Sequence, residues 1–204
     1  MAEAISLAKK LNDTNALAVA LSWAAGLTIF DNPAEADRFA SELIELSTRQ
    51  NLEYFLHLAY IHRGSALSAS GDTAKGIPWI EQGIRHLRAT GTVLHLPDYL
   101  ARKAEALYLA DRTSEALGVV NEAEALAQRF EQRACFAWLH RLRAVFLAVL
   151  GADETQIEAA FCEAIRIAKE QKSVLLEKGA QATYAEYCRQ KASGSGGRGI
   201  RLPL

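Results

Sequence analysis

The chain has 204 residues, half of them hydrophobic and 23% charged, which is the composition of a packed domain and not of a disordered segment. Its 23 basic residues face 24 acidic ones, giving a net charge of -1 and no basic excess of the kind nucleic-acid binding needs, so no nucleic-acid partner is expected. No apolar run approaches the ~20 residues that span a bilayer, no secretory leader opens the chain at Met1-Ala2-Glu3-Ala4, and the three cysteines are too few and odd for a disulfide framework. These features point to a cytoplasmic protein with no membrane partner.

The chain opens on Ala4-Ile5-Ser6-Leu7-Ala8-Lys9-Lys10, which aligns with Ala164-Ile165-Arg166-Ile167-Ala168-Lys169-Glu170. It reads as the second helix of a repeat whose first helix is missing. From there a repeat runs through the chain. Ala24, Gly64, Ala104 and Ala144 fall at intervals of 40 residues, with Leu27, Leu67, Leu107 and Leu147 three residues on. Turn residues Asp31, Gly71, Asp111 and Gly151 follow, then Ala36, Gly76, Ala116 and Ile157, with one residue inserted after Gly151. The columns continue with Ala40, Ile80, Val120 and Phe161, then Leu43, Gly83, Ala123 and Ala164.

Each copy predicts two amphipathic helices. In the third copy they are Leu94 to Ala110 and Thr113 to Arg129, with apolar residues three and four apart. Asn32-Pro33-Ala34-Glu35 and Thr155-Gln156-Ile157-Glu158 have the order of a capping box. Pro78 conflicts with the pattern, since it falls about one turn inside the second helix of its copy. Either that helix starts late, near Gly76, or it is kinked.

The expected organisation is one repeat domain over residues 1–191, with four hairpins at 14–50, 52–90, 93–131 and 133–172 and half-repeats at 3–11 and 174–191. Residues 192–204, with their Gly-Ser-Gly-Gly-Arg-Gly stretch, are expected to form a disordered tail and not a dinucleotide loop, because no strand precedes them. The fold class is all-α, a right-handed superhelix of stacked hairpins. The small-residue columns would mark close helix crossings, and the leucine column would fill the adjoining core. Ile5 and Leu7 at one end, and Val174, Leu175, Tyr184 and Tyr187 at the other, are expected to be uncapped faces open to self-association.

A small residue, a leucine three on, a Gly or Asp turn and alanine-rich packing positions resemble the tetratricopeptide repeat, most clearly at Ala104-Glu105-Ala106-Leu107, Ala116-Leu117 and Ala123-Glu124-Ala125-Leu126. The period of 40 exceeds the usual one. Arg85 to Pro97 followed by Ala104 to Leu107 is similar to the C-terminal repeat region of bacterial adenylate/guanylate cyclase–AAA-type ATPase proteins. That resemblance covers roughly residues 14 to 190 and implies a fragment or relative of a signalling protein, either a truncated or frameshifted reading frame or a short paralogue. The cyclase and ATPase domains are absent from this chain, and no residue of theirs carries over.

No nucleophile–base pair, phosphate loop or His-Glu-x-x-His is present, so no enzyme, cofactor or metal is expected. The five histidines read as surface or groove residues, Cys135, Cys162 and Cys188 as buried thiols, and Trp23, Trp79 and Trp138 as core. In tetratricopeptide-like stacks the first helix of each hairpin lines a concave groove. Projected here, that groove uses Leu58, Ile61 and Ser65, then Asp98, Arg102, Glu105 and Tyr108, then Trp138, Arg141 and Val145. Arg102 and Arg141 would pair a ligand carboxylate or, the plainer reading, salt-bridge Asp98 and Glu105. The expected function is a non-catalytic protein-interaction or regulatory scaffold with a protein or peptide partner in the groove. The alternative is a module that senses a small molecule or peptide there.

Overall fold

The computed structural model describes residues 1–193, so the expected tail lies outside the described residues except at its first two positions. Ten α-helices follow one another and no strand occurs among the described residues: α1 (Ala2–Lys10), α2 (Thr14–Thr28), α3 (Pro33–Gln50), α4 (Glu53–Ala69), α5 (Thr73–Ala89), α6 (Leu96–Leu109), α7 (Thr113–Arg129), α8 (Phe136–Val149), α9 (Glu154–Glu170) and α10 (Val174–Ala192). A 3-10 turn, Arg133–Cys135, leads into α8. The protein is all-α and built from helical hairpins, as the periodicity predicts.

Turn chemistry sets the period. Gly71, Asp111 and Gly151 adopt left-handed backbone at φ 96, 58 and 71°, and so do Asn12, Asn51, Gly91, Glu131 and Lys172 between repeats. Each left-handed residue lets the chain fold back onto the helix it ends. The N–H of Asp72, Arg112 and Ala152 donates to the carbonyl of Leu67, Leu107 and Leu147 at 2.9, 2.9 and 3.0 Å. Asp31 departs from its column: there the Asn32 N–H donates to the Thr28 carbonyl at 2.7 Å, and Pro33 starts the next helix at once.

The helix starts are partly as expected. The Asn32 side chain accepts from the Glu35 N–H, but the Glu35 carboxylate turns to Arg38 at 3.0 Å and does not return to the cap. The start of α9 is Glu154, capped by Asp153, which accepts from the Thr155 N–H at 2.8 Å; Thr155 is therefore inside the helix. Helix α5 begins at Thr73 and runs through Pro78, so the late start near Gly76 does not occur.

Packing divides the chain into two compact units, Met1–Val93 and a second from Leu94. In the first, Ala18, Leu21, Leu43, Leu46 and Ala59 form a cluster flanked by Ile5, Leu17, Phe39 and Phe55. A second cluster joins Ile29, Ala36 and Ala66. The α4–α5 crossing is made by missing side chains. A methyl group on Gly64 would lie 2.5 Å from the Gly76 carbonyl oxygen, one on Gly76 2.1 Å from the Ser68 hydroxyl, and one on Gly83 2.5 Å from the His57 carbonyl oxygen.

The second unit packs large rings instead. Phe146 and Phe161 are fully enclosed, Tyr108 lies 5.4 Å from Phe146, and Tyr184 and Tyr187 lie 5.1 and 5.8 Å from Phe161. Of the four residues expected to form an uncapped face there, Tyr187 is buried and Tyr184 stacks on Phe161, whereas Val174 and Leu175 are exposed as expected. The exposed positions of α10 include Lys178, Gln181, Arg189 and Lys191, which are polar, alongside Val174 and Leu175 near its start.

Other expectations are overturned by position around the helix. Leu107 is buried but Leu27 is exposed, with Leu67 and Leu147 between, so the leucine column is core in one copy only. Cys135 is buried, whereas Cys162 and Cys188 are exposed. Trp138 is buried, Trp79 half-buried and Trp23 exposed.

Candidate functional site: the half-buried charges of α6 and α8

Polar side chains gather on the first helices of the third and fourth copies. Spacings of three and four put Asp98, Arg102 and Glu105 on one side of α6, and Trp138 and Arg141 on one side of α8. The Trp138 indole N–H donates to Glu105 Oε1 at 3.0 Å, and the Arg102 guanidinium lies 5.0 Å from the centre of the Trp138 ring. Burial pushes the Glu105 carboxyl above its usual range, and the Arg102 and Arg141 charges and the Trp138 hydrogen bond pull it back. The same burial lowers both guanidiniums, with Glu105 opposing it in each case. The four charges are balanced: Asp98 and Glu105 against Arg102 and Arg141.

Asp98 is held at the entrance to α6. His95 sits in left-handed backbone at φ 57°, its N–H donates to Gln132 Oε1 at 2.9 Å, and its ring Nδ1 lies 3.4 Å from Asp98 Oδ2. Burial raises the Asp98 carboxyl, and His95 and Arg102 counter it. Arg141 reaches toward α10, where Gly179 carries no side chain; a Cβ added there would lie 3.8 Å from Arg141 Nη1. Gln132 and Gly179 are members of this site that the sequence reading missed. Gly179 has a signal, being a glycine inside a helix, where glycine is unfavourable.

The remaining residues of the expected groove lie elsewhere. Tyr108 packs on Phe146, and Val145 is fully enclosed. Leu58, Ile61 and Ser65 belong to α4 in the first unit and are buried there, with the Ser65 hydroxyl donating to the Ile61 carbonyl at 2.8 Å. Ile61 and Val145 expose nothing, so they hold their hairpins together and offer no side chain to a ligand. The part-exposed members are Asp98, Arg102, Glu105, Tyr108 and Arg141.

Two other polar arrangements stand apart. In the first unit His57 and His86 stack face to face at 3.4 Å, and Trp79 is contacted by Tyr60 at 4.8 Å and by Arg63 at 5.0 Å. In the second unit Arg143 of α8 donates to Asn121 at 2.7 Å and to both oxygens of Glu124, all on α7. Burial and the neighbouring Asp98 charge push the Cys135 thiol up to about 12, which leaves it protonated and inert at neutral pH. Among the described residues no group of three His, Cys, Asp or Glu side chains is placed to hold a metal ion. No helix among them is long and apolar enough to cross a membrane.

The fold is shared with a solved structure. The crystal structure of Bacillus thuringiensis PlcR in complex with the peptide PapR7 and DNA superposes with a TM-score of 0.72 over 86% of this chain and 64% of that one, at 20% identity. This chain is thus a helical-hairpin repeat protein of the same fold. An uncharacterised protein of Rhizobium meliloti (strain 1021) is 27% identical over 147 residues, which is 72% of this chain and 14% of that protein. The chain therefore spans about one seventh of that relative's length. No family model matches.

Proposed function

We propose that this protein is a non-catalytic, cytoplasmic binding module that recognises a protein or peptide segment at the α6–α8 face. The observation that carries the proposal is the balanced, half-buried set of charges Asp98, Arg102, Glu105 and Arg141 around the buried Trp138, held on two helices. Trp and Arg side chains held this way are the usual energetic centres of protein interfaces. A planar guanidinium partly withdrawn from water pairs a carboxylate more strongly than an exposed one does. PlcR, which shares the fold, was crystallised with a peptide, and that supports a peptide in preference to a small molecule.

The finer reading is that the module is an arm of a larger signalling protein, related to the cyclase- or ATPase-linked proteins whose repeat region it resembles. The length of the Rhizobium relative supports a larger parent.

A peptide array read by fluorescence polarisation tests the binding. Peptides with an acidic group are expected among the binders, and Arg141→Ala is expected to weaken them about tenfold or more, since a hydrogen bond to a charged group contributes roughly 1.5–3 kcal/mol. Peptide binding indifferent to Arg141→Ala and Trp138→Ala together removes this face from the proposal. Turnover of ATP to cyclic AMP by the purified chain removes the non-catalytic reading.

A further inference from the structure

One column of the repeat runs through the first helices of the second unit as Asp98 in α6, Trp138 in α8 and Gly179 in α10, allowing for the residue inserted after Gly151. In α8 that column carries an indole, which lies against the Arg102 guanidinium of α6 and donates to Glu105. In α10 it carries a glycine, and the group in front of it is the Arg141 guanidinium of α8. A Cβ on Gly179 would lie 3.8 Å from Arg141 Nη1. One guanidinium is therefore covered by an aromatic ring, and the other faces bare backbone.

Packing does not require this glycine. At Gly64, Gly76 and Gly83 an added methyl group would come to 2.5 Å or less from a neighbouring atom, whereas 3.8 Å is an ordinary contact. Glycine is also unfavourable inside a helix. Gly118 is tolerated in the same way, but no charged group stands in front of it.

Arg141 differs from the other charges of the set. Glu105 accepts from Trp138, Asp98 lies 3.4 Å from His95, and Arg102 lies on the Trp138 ring. Among the described residues no hydrogen bond or ion pair ends on Arg141, and Glu105 acts on it from beyond ion-pair distance. Its guanidinium is partly withdrawn from water with its donors unused, the condition in which arginine binds an anion well. Leu175 and Ala182, one turn to either side of Gly179 and both exposed, add apolar surface beside the charge.

We propose that Arg141 and Gly179 form a carboxylate subsite between α8 and α10, in which Gly179 determines specificity by leaving the Arg141 guanidinium open to a ligand carboxylate. The subsite rests on the reading of the α6–α8 face as a binding surface and extends it to a third helix. A large side chain at position 179 covers Arg141 as Trp138 covers Arg102. Leu175 and Ala182 take the carbon chain that carries the carboxylate. That carboxylate comes from the last residue of a peptide or from an acidic side chain, which offer Arg141 the same charge and shape.

The Arg141 Nε–H resonance, identified by its loss in Arg141→Lys, reads the subsite directly. N-acetyl-leucine offers a terminal carboxylate, and N-acetylglutamic acid α-amide a side-chain one. At least one of them is expected to move that resonance saturably, with half-effect at roughly millimolar concentration, and to leave the Arg102 resonance in place. The one that moves it names the source. N-acetyl-leucinamide, which lacks the carboxylate, is expected to move neither resonance. Gly179→Trp and Gly179→Leu, each as helical as wild type, are expected to weaken the effect about tenfold or more. No saturable shift with either acid, an equal shift with N-acetyl-leucinamide, or undiminished affinity in the two Gly179 variants overturns the proposal. Peptides that depend on Trp138 but tolerate Gly179→Trp also overturn it, and leave the α6–α8 reading intact. A saturable Arg141 shift in a protein that binds no peptide on the array supports the subsite and removes the peptide reading instead.

Discussion

The α4–α5 hairpin and the α8–α9 hairpin are the second and fourth copies of one repeat, yet they are packed by opposite means. In the first, Gly64, Gly76 and Gly83 remove side chains so that the two backbones meet directly. In the second, Ala144 takes the place of Gly64, and Phe146 and Phe161 are fully enclosed. Both hairpins are closed by the same left-handed turn. One repeat length therefore accommodates two packing regimes, and the difference lies in whether volume is removed or added at the crossing.

The comparison can be broken from either side. Phe161→Ala empties a site enclosed by Tyr184 and Tyr187 and is expected to cost about 3–5 kcal/mol, the largest effect here. Denaturant unfolding measures it, and a loss below that of an exposed substitution would show that rings do not carry the second unit. In the first unit the direction reverses. Gly64→Ala adds a single methyl group, 2.5 Å from a carbonyl oxygen that cannot rotate away, and is expected to cost roughly 1–3 kcal/mol. An unchanged midpoint would mean that α4 and α5 separate freely.

The stacked histidines sharpen the contrast through pH. Burial, and next the neighbouring His86, hold His57 below the ordinary histidine value of 6.5. The folded state thus disfavours the charged ring, and stability present above 6.5 is lost as pH falls toward and through the lowered value. In the second unit Asp98 and Glu105 are raised by burial, so acidification relieves a charge the fold disfavours, while His140, lowered by burial, acts against them. His57→Gln is expected to shrink the drop in Tm between pH 7.5 and 5.5. Equal drops in the two proteins would remove the histidine pair from the account.

The smallest effect is a gain. A Cβ on Gly118 of α7 meets nothing within 4 Å, so Gly118→Ala is expected to stabilise the chain by about 0.4–1 kcal/mol through helix propensity and the unfolded state. A loss in place of a gain would show that not only the α4–α5 crossing needs a bare backbone.

Much of this architecture was legible in the residues. The columns of Gly71, Asp111 and Gly151 located the turns because left-handed backbone is a local requirement that few residue types meet. The helices themselves followed from apolar spacing for the same local reason, though their ends differ from expectation, as where α6 runs Leu96–Leu109 and not Leu94 to Ala110. The candidate site was legible in part: Asp98, Arg102, Glu105, Trp138 and Arg141 do assemble, because helical spacing fixes which side chains share a side of α6 and of α8. Gln132 and Gly179 were not, because they reach the site from other elements, and sequence distance carries no information about that approach.

What the sequence determined by itself was the list of helices, their order and the turns that end them, all properties of a few consecutive residues. Tertiary structure alone decided which members of a column are buried. Leu27 and Leu107 share a column and a helical position, yet only Leu107 is enclosed. Trp23 and Trp138 are one residue type in corresponding helices, one open to water and one closed. Burial belongs to the space a neighbour fills, and the neighbour of a repeat helix lies 40 residues away in the chain.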